Sequence, residues 1–185
     1  MLRGTAYRSL SLGSHDFEAL IRSPRYRRST PEEVAFHEAG HVVVGHQLGL
    51  DLVDVDVLAD REGGNGHTNF RAPDWFRPDS PLDERKRAFV ESVVTTFLAG
   101  SAAEARRAGF ENAEASGFDV EAVAREWARY LGPSSELEGR LASLRMKAEQ
   151  LVGEHWPAIE RLARTLLARR RVDAREALSS AGLSP

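Results

Sequence analysis

Residues 30–50 constrain the fold of this chain more than any other stretch. Thr30-Pro31-Glu32-Glu33 opens a helix. Thr30 is placed to cap it, Pro31 fits the first helical position, and Glu33 can close a capping box. The helix continues through AFHEAGHVVVGHQLGL (35–50), with apolar Val34, Ala35, Val42 and Leu48 and a natural stop at Gly49. Into this apolar run the sequence sets Glu38 and three histidines, His37, His41 and His46. Polar groups buried without partners cost about 2–7 kcal/mol each. Whatever packs on this helix must therefore supply partners, or these residues must share a ligand.

Spacing separates the histidines. At about 100° per residue, His37 and His41 stand only about 40° apart, one turn above the other. Two imidazoles on one face, spaced HExxH, can reach one zinc ion. Glu38 lies about 100° round the helix, where a carboxylate can act as general base without being a ligand. His46 points about 180° away from His37 and reads as a polar residue on the other face. The longer pattern HExxHxxGxxH would need Gly at 44 and His at 47, and the chain has Val44 and Gln47. A cluster of histidines satisfied by ordinary hydrogen bonds is the alternative.

Cysteine is absent, which excludes disulfides, thiolate ligands and cysteine nucleophiles. Any metal must rest on His, Asp and Glu. A net charge of -3 gives no case for a nucleic-acid partner. No run approaches the roughly 20 apolar residues of a membrane span, and no signal-peptide core is present at residues 1–17. The expectation is a cytoplasmic protein with no membrane association. At 185 residues, 42% hydrophobic and 29% charged, the chain fits one globular domain. Residues 1–28, rich in Ser and Arg, read as a mobile arm ahead of a domain at 29–185.

Along that domain, LVDVDVL (52–58) alternates Val53, Val55 and Val57 against Asp54 and Asp56, predicting a half-buried strand. REGGNG (61–66) predicts a turn and HTNF (67–70) a second strand. RAPDWFRPDSP (71–81) reads as an irregular surface loop with two exposed aromatics, Trp75 and Phe76. Ser80-Pro81-Leu82-Asp83 repeats the cap-proline-acid pattern and predicts a long helix to about Arg107, with small residues in GSAAEA where another backbone could approach. A helix is expected over 118–130. From about 135 the chain reads as one or two amphipathic helices broken at His155-Trp156-Pro157, with a stripe through Leu141, Leu144, Ala148, Leu151, Ile159, Leu162 and Leu166. The fold class expected is mainly α with a small β-sheet or hairpin.

FHEAGHVVVG resembles the zinc helix of peptidase family M41, the protease domain of FtsH-type membrane-bound AAA proteases. FLAGSAAEA (97–105), ASGFDVEAVAREWARYLG (115–132) and HWPAIERLARTLLARRRVDAREAL (155–178) are similar to later stretches of that family, in the same order. The resemblance spans roughly residues 30–180 and implies a zincin-like helical domain. It implies Asp119 as the third zinc ligand, a residue that on its own reads as a helix N-terminal acid. It places Glu104 behind a zinc histidine as an orienting carboxylate, where the plain alternative is a surface charge. It also implies a substrate-pairing strand at Gly66, His67, Thr68, Asn69 and Phe70, which a plain sheet strand would explain equally well. His67 is open to an oxyanion role, with a surface-turn histidine the simpler reading.

The departures are definite. The 185 residues contain no AAA module, no transmembrane helix and no GxxxxGK[ST] phosphate loop, and Phe118 stands where the family has Asn. The expected activity is thus an ATP-independent zinc metalloendopeptidase acting on unfolded or flexible polypeptides, with zinc as cofactor and Glu38 as base. A homo-oligomeric ring and a separate ATPase partner stay open. The rival expectation is a non-catalytic module that binds peptide or protein.

Overall fold

The computed structural model describes residues 28–59, 65–110, 112, 127–131 and 133–184. The arm at 1–27, the turn at 60–64 and most of the helix expected over 118–130, Asp119 included, lie outside the described residues. The architecture is mainly helical with one small antiparallel sheet.

Helix α1 (Pro31–Gln47) is the axis of the domain. Its capping box forms as the sequence requires: Glu33 N donates to Thr30 Oγ1 at 3.2 Å, and Thr30 N donates to Glu33 Oε2 at 2.7 Å. From residue 33 to residue 45 every side chain is buried except His37. A helix buried on all sides needs cover on all sides. Helix α2 (Glu84–Ala108) crosses one face and α5 (Trp156–Arg169) another, while strands β1 (Asp51–Ala59) and β2 (Asn65–Arg71) cover a third. Helix α3 (Ala128–Leu131) and helix α4 (Ser134–Glu154) pack on α2, and α6 (Ala174–Ala181) packs on α5. The α1–α2 crossing is close because Gly40 has no side chain: a Cβ there would lie 2.7 Å from both Ala99 O and Ala103 Cβ. The small residues of GSAAEA make the other half of that crossing.

The sheet order is β2–β1–β3, with β3 at Arg171–Asp173. This third strand interrupts what the sequence reads as closing helices. Arg170 ends α5 at φ 69, its N–H donating to Leu166 O at 2.8 Å, and its own carbonyl accepts from Val57 N at 2.8 Å. A bulky residue rarely adopts that backbone, and here it turns the chain from helix into strand. Val172 then enters the core between exposed Arg171 and Asp173. Asp54 accepts from Arg171 and from Asn69, and the guanidinium beside it holds its carboxyl below the usual carboxylate range.

Three local expectations need correction. Val53 is 41% exposed instead of facing in with Val55 and Val57. Leu52 pairs with Phe70 and Asp54 with Asn69, so Val53 is the extra residue of a bulge that reverses the alternation. The second helix begins at Glu84 and not after Ser80, with Asp83 as N-cap, its carboxylate accepting from Lys86 N at 2.7 Å. Trp75 and Phe76 are half-buried. They join Phe89, Trp127 and Tyr130 in an aromatic cluster with ring centroids 5.0–6.4 Å apart. Lys86, buried beneath the loop, donates to the carbonyls of Arg77, Pro78 and Ser80 at 2.7–2.9 Å, while its ammonium lies 4.8 Å from the Tyr130 ring. Three carbonyls and an aromatic face offset the loss of water around one buried cation.

Candidate metal centre

With α1 registered by its cap, His37 and His41 both face α2, their rings 4.7 Å apart and nearly perpendicular. Each ring is held through Nδ1. His41 Nδ1 lies 2.8 Å from Thr96 O. A carbonyl only accepts, so this nitrogen carries the proton, and in the neutral ring Nε2 carries the lone pair. His37 Nδ1 lies 3.0 Å from Glu104 Oε2. Glu104 is itself 2% exposed, and its Oε1 accepts from Ser29 Oγ at 2.5 Å and from Asn112 Nδ2 at 3.3 Å. Three donors compensate this buried carboxylate, tying α2 to the residue that precedes the cap of α1.

The two Nε2 atoms meet at Gly100. The position a Cβ would take there lies 2.5 Å from His41 Nε2 and 2.8 Å from His37 Nε2, with His41 Cε1 also against it, so both nitrogens border one small volume beside α2. Two imidazoles anchored at Nδ1, one by a carbonyl and one by a carboxylate, with Nε2 atoms brought close to one point, form the donor arrangement that zinc takes. These two nitrogens fit such an ion.

Glu38, 5% exposed, leaves the helix on the side of β2. Thr68 Oγ1 donates to Glu38 Oε2 at 2.7 Å. Gly66 lies against the other oxygen: at φ +128, a Cβ on it would stand 2.7 Å from Glu38 Oε1. A side chain at Gly66 would be strained by the backbone and would also collide with the carboxylate.

The residues named from the sequence thus separate by location. His37, His41 and Glu104 are brought together at the α1–α2 crossing, and Glu38 lies on the β2 side of α1. On β2, Gly66 and Thr68 face Glu38, while the Phe70 ring packs against Gly45. His67 and Asn69 are exposed on the opposite face, so His67 belongs to a strand and not to a surface turn. His46 is half-exposed in the last turn of α1. Asp119 lies outside the described residues. Among the described residues no group of three His, Cys, Asp or Glu side chains is arranged to hold an ion. Ser29, Asn112 and the Thr96 carbonyl carry no motif and are recognisable only in the folded chain; Gly100 has its one signal in the small residues of GSAAEA. No helix of the described residues is long and apolar enough to cross a membrane.

No family model matches the chain, and no curated protein matches it.

Proposed function

We propose that this chain is a zinc metalloendopeptidase of the FtsH-type class, with a zincin-like helical domain. The observation that carries the reading is the pair of Nε2 atoms brought close to one point at Gly100, each ring anchored through Nδ1, with the buried carboxylate of Glu38 next to His37 in the chain. His37 and His41 would hold the ion, with Asp119 as the third ligand that the resemblance implies. When bound, zinc supplies Lewis acidity toward a water molecule and a peptide carbonyl.

The remaining work falls to the chain's own side chains. Glu104 and the Thr96 carbonyl keep both imidazoles in the tautomer that presents Nε2. Glu38 accepts a proton from the attacking water and later delivers it to the leaving amine. Strand β2 lies at the edge of the sheet among the described residues, where an extended chain can pair with it. Extended pairing requires a flexible polypeptide, so unfolded chains and peptides are the proposed substrates.

Casein and an unstructured peptide test the reading directly. Cleavage is expected with the zinc-loaded chain, a loss of at least about a hundredfold with chelator, and recovery on adding zinc. Cleavage indifferent to chelation would end the metallopeptidase reading. Zinc bound without cleavage of any flexible substrate would favour a peptide-binding module.

A further inference from the structure

We infer that Thr68 is a positioning residue for Glu38, through which the edge strand β2 fixes the carboxylate that moves the proton. The inference rests on the peptidase reading above. Glu38 has three rotatable side-chain bonds, and holding its carboxylate in one place requires contacts that select among the rotamers. Strand β2 does so from both sides. The Thr68 hydroxyl lies 2.7 Å from Glu38 Oε2 but 3.5 Å from the Glu38 main-chain oxygen, so its single proton goes to the carboxylate. Gly66 closes on the other oxygen, where a Cβ would stand 2.7 Å from Oε1 and 2.9 Å from Cγ.

Alternation along β2 makes this arrangement possible. Gly66, Thr68 and Phe70 point toward α1, and His67 and Asn69 point away. The backbone between Gly66 and Phe70 is therefore at once the edge on which a substrate strand would pair and the support of the base. A peptide pairing with β2 is held in register with Glu38 because one strand carries both contacts. A carboxylate offers about four lone-pair sites, so one bond from Thr68 still leaves it able to accept a proton. This assigns Thr68 to the orientation of the base and not to contact with substrate.

The test compares Thr68→Val, which keeps the shape and removes the hydroxyl, with Thr68→Ser, which keeps the hydroxyl. The full zinc-loaded chain is assayed on one unstructured peptide. For Thr68→Val, kcat is expected to fall about thirtyfold with KM within about twofold, since small misplacement of a reacting group costs up to about a hundredfold. Zinc per chain stays unchanged, and Thr68→Ser returns kcat to within about threefold of wild type. If Thr68→Val loses its helical circular dichroism, Thr68→Ala takes its place, since either substitution leaves the strand's backbone pairing intact. An active wild type with an undiminished valine or alanine variant overturns the inference and leaves the peptidase reading standing. So does a serine variant as impaired as the valine. A wild type that binds zinc but cleaves nothing overturns the peptidase reading, and the inference falls with it.

Discussion

Glu38→Gln is expected to lower peptide hydrolysis by about a thousandfold while leaving zinc content and fold unchanged. The substitution is nearly isosteric, and its amide oxygen can still accept from the Thr68 hydroxyl that now lies 2.7 Å from Oε2. The packing against Gly66 is likewise preserved. What the amide lacks is a site that takes a proton, so the loss should fall on kcat with little change in KM. Both quantities come from initial rates on a fluorogenic peptide. A variant retaining activity within tenfold of wild type would remove Glu38 from the chemistry, whatever its position.

Gly100→Ala is the second large effect, and here two physical terms oppose each other. Helix propensity favours alanine by about 1 kcal/mol in a helix interior. Against it, the new methyl would lie 2.5 Å from His41 Nε2 and 2.8 Å from His37 Nε2. Ring ends can usually move aside at small cost. These two cannot without breaking the bonds from Nδ1 to Thr96 O and to Glu104. Overpacking of this kind costs about 1–3 kcal/mol. The clash therefore wins at the rings, with a net loss of stability small enough for the fold to survive. The expected result is a folded protein whose zinc affinity is down by about ten- to a hundredfold, the range for disturbed ligand orientation. Thermal melts with and without zinc check it: the zinc-dependent rise in Tm expected for wild type should shrink in the variant. An undiminished rise would mean that the two nitrogens do not serve one ion at this place.

Much of the frame was legible because it is local. The capping box at Thr30 and Glu33, the stop at Gly49 and the one-turn spacing of His37 and His41 are all encoded within a few residues. The stripe of α4 and α5 is periodic, and its Leu144, Ala148, Ile159, Leu162 and Leu166 are buried. What escaped was short or remote. Strand β3 has three residues, too few for a period, and it depends on Arg170 adopting φ 69. The bulge at Val53 is a property of pairing with β2, which the alternation of one strand alone cannot reveal. Trp75 and Phe76 lie in a Pro- and Asp-rich segment that reads as solvent-facing, yet Lys86 gathers its carbonyls, and Phe89 of α2 and Tyr130 of α3 supply aromatic partners.

The site divides in the same way. HExxH is a spacing and can be read directly. The contact of Glu104 with His37 spans 67 residues, that of Thr68 with Glu38 spans 30, and no periodicity encodes either. Resemblance pointed to Glu104 as a partner of a helix histidine, but nothing in the sequence pointed to Ser29 or Asn112 behind it. Gly100 opens the small-residue run GSAAEA, where a close backbone approach is expected, and Gly40 lies in α1 at its crossing with α2. Each is a place where a neighbour takes the space of a side chain.

His37 and His41 are proposed to share one zinc ion. The most direct test is zinc per chain in the purified full-length protein, measured by plasma mass spectrometry after zinc loading and dialysis against zinc-free buffer. About one zinc per wild-type chain is expected. A chain with its helical circular dichroism intact and no zinc above background would contradict it.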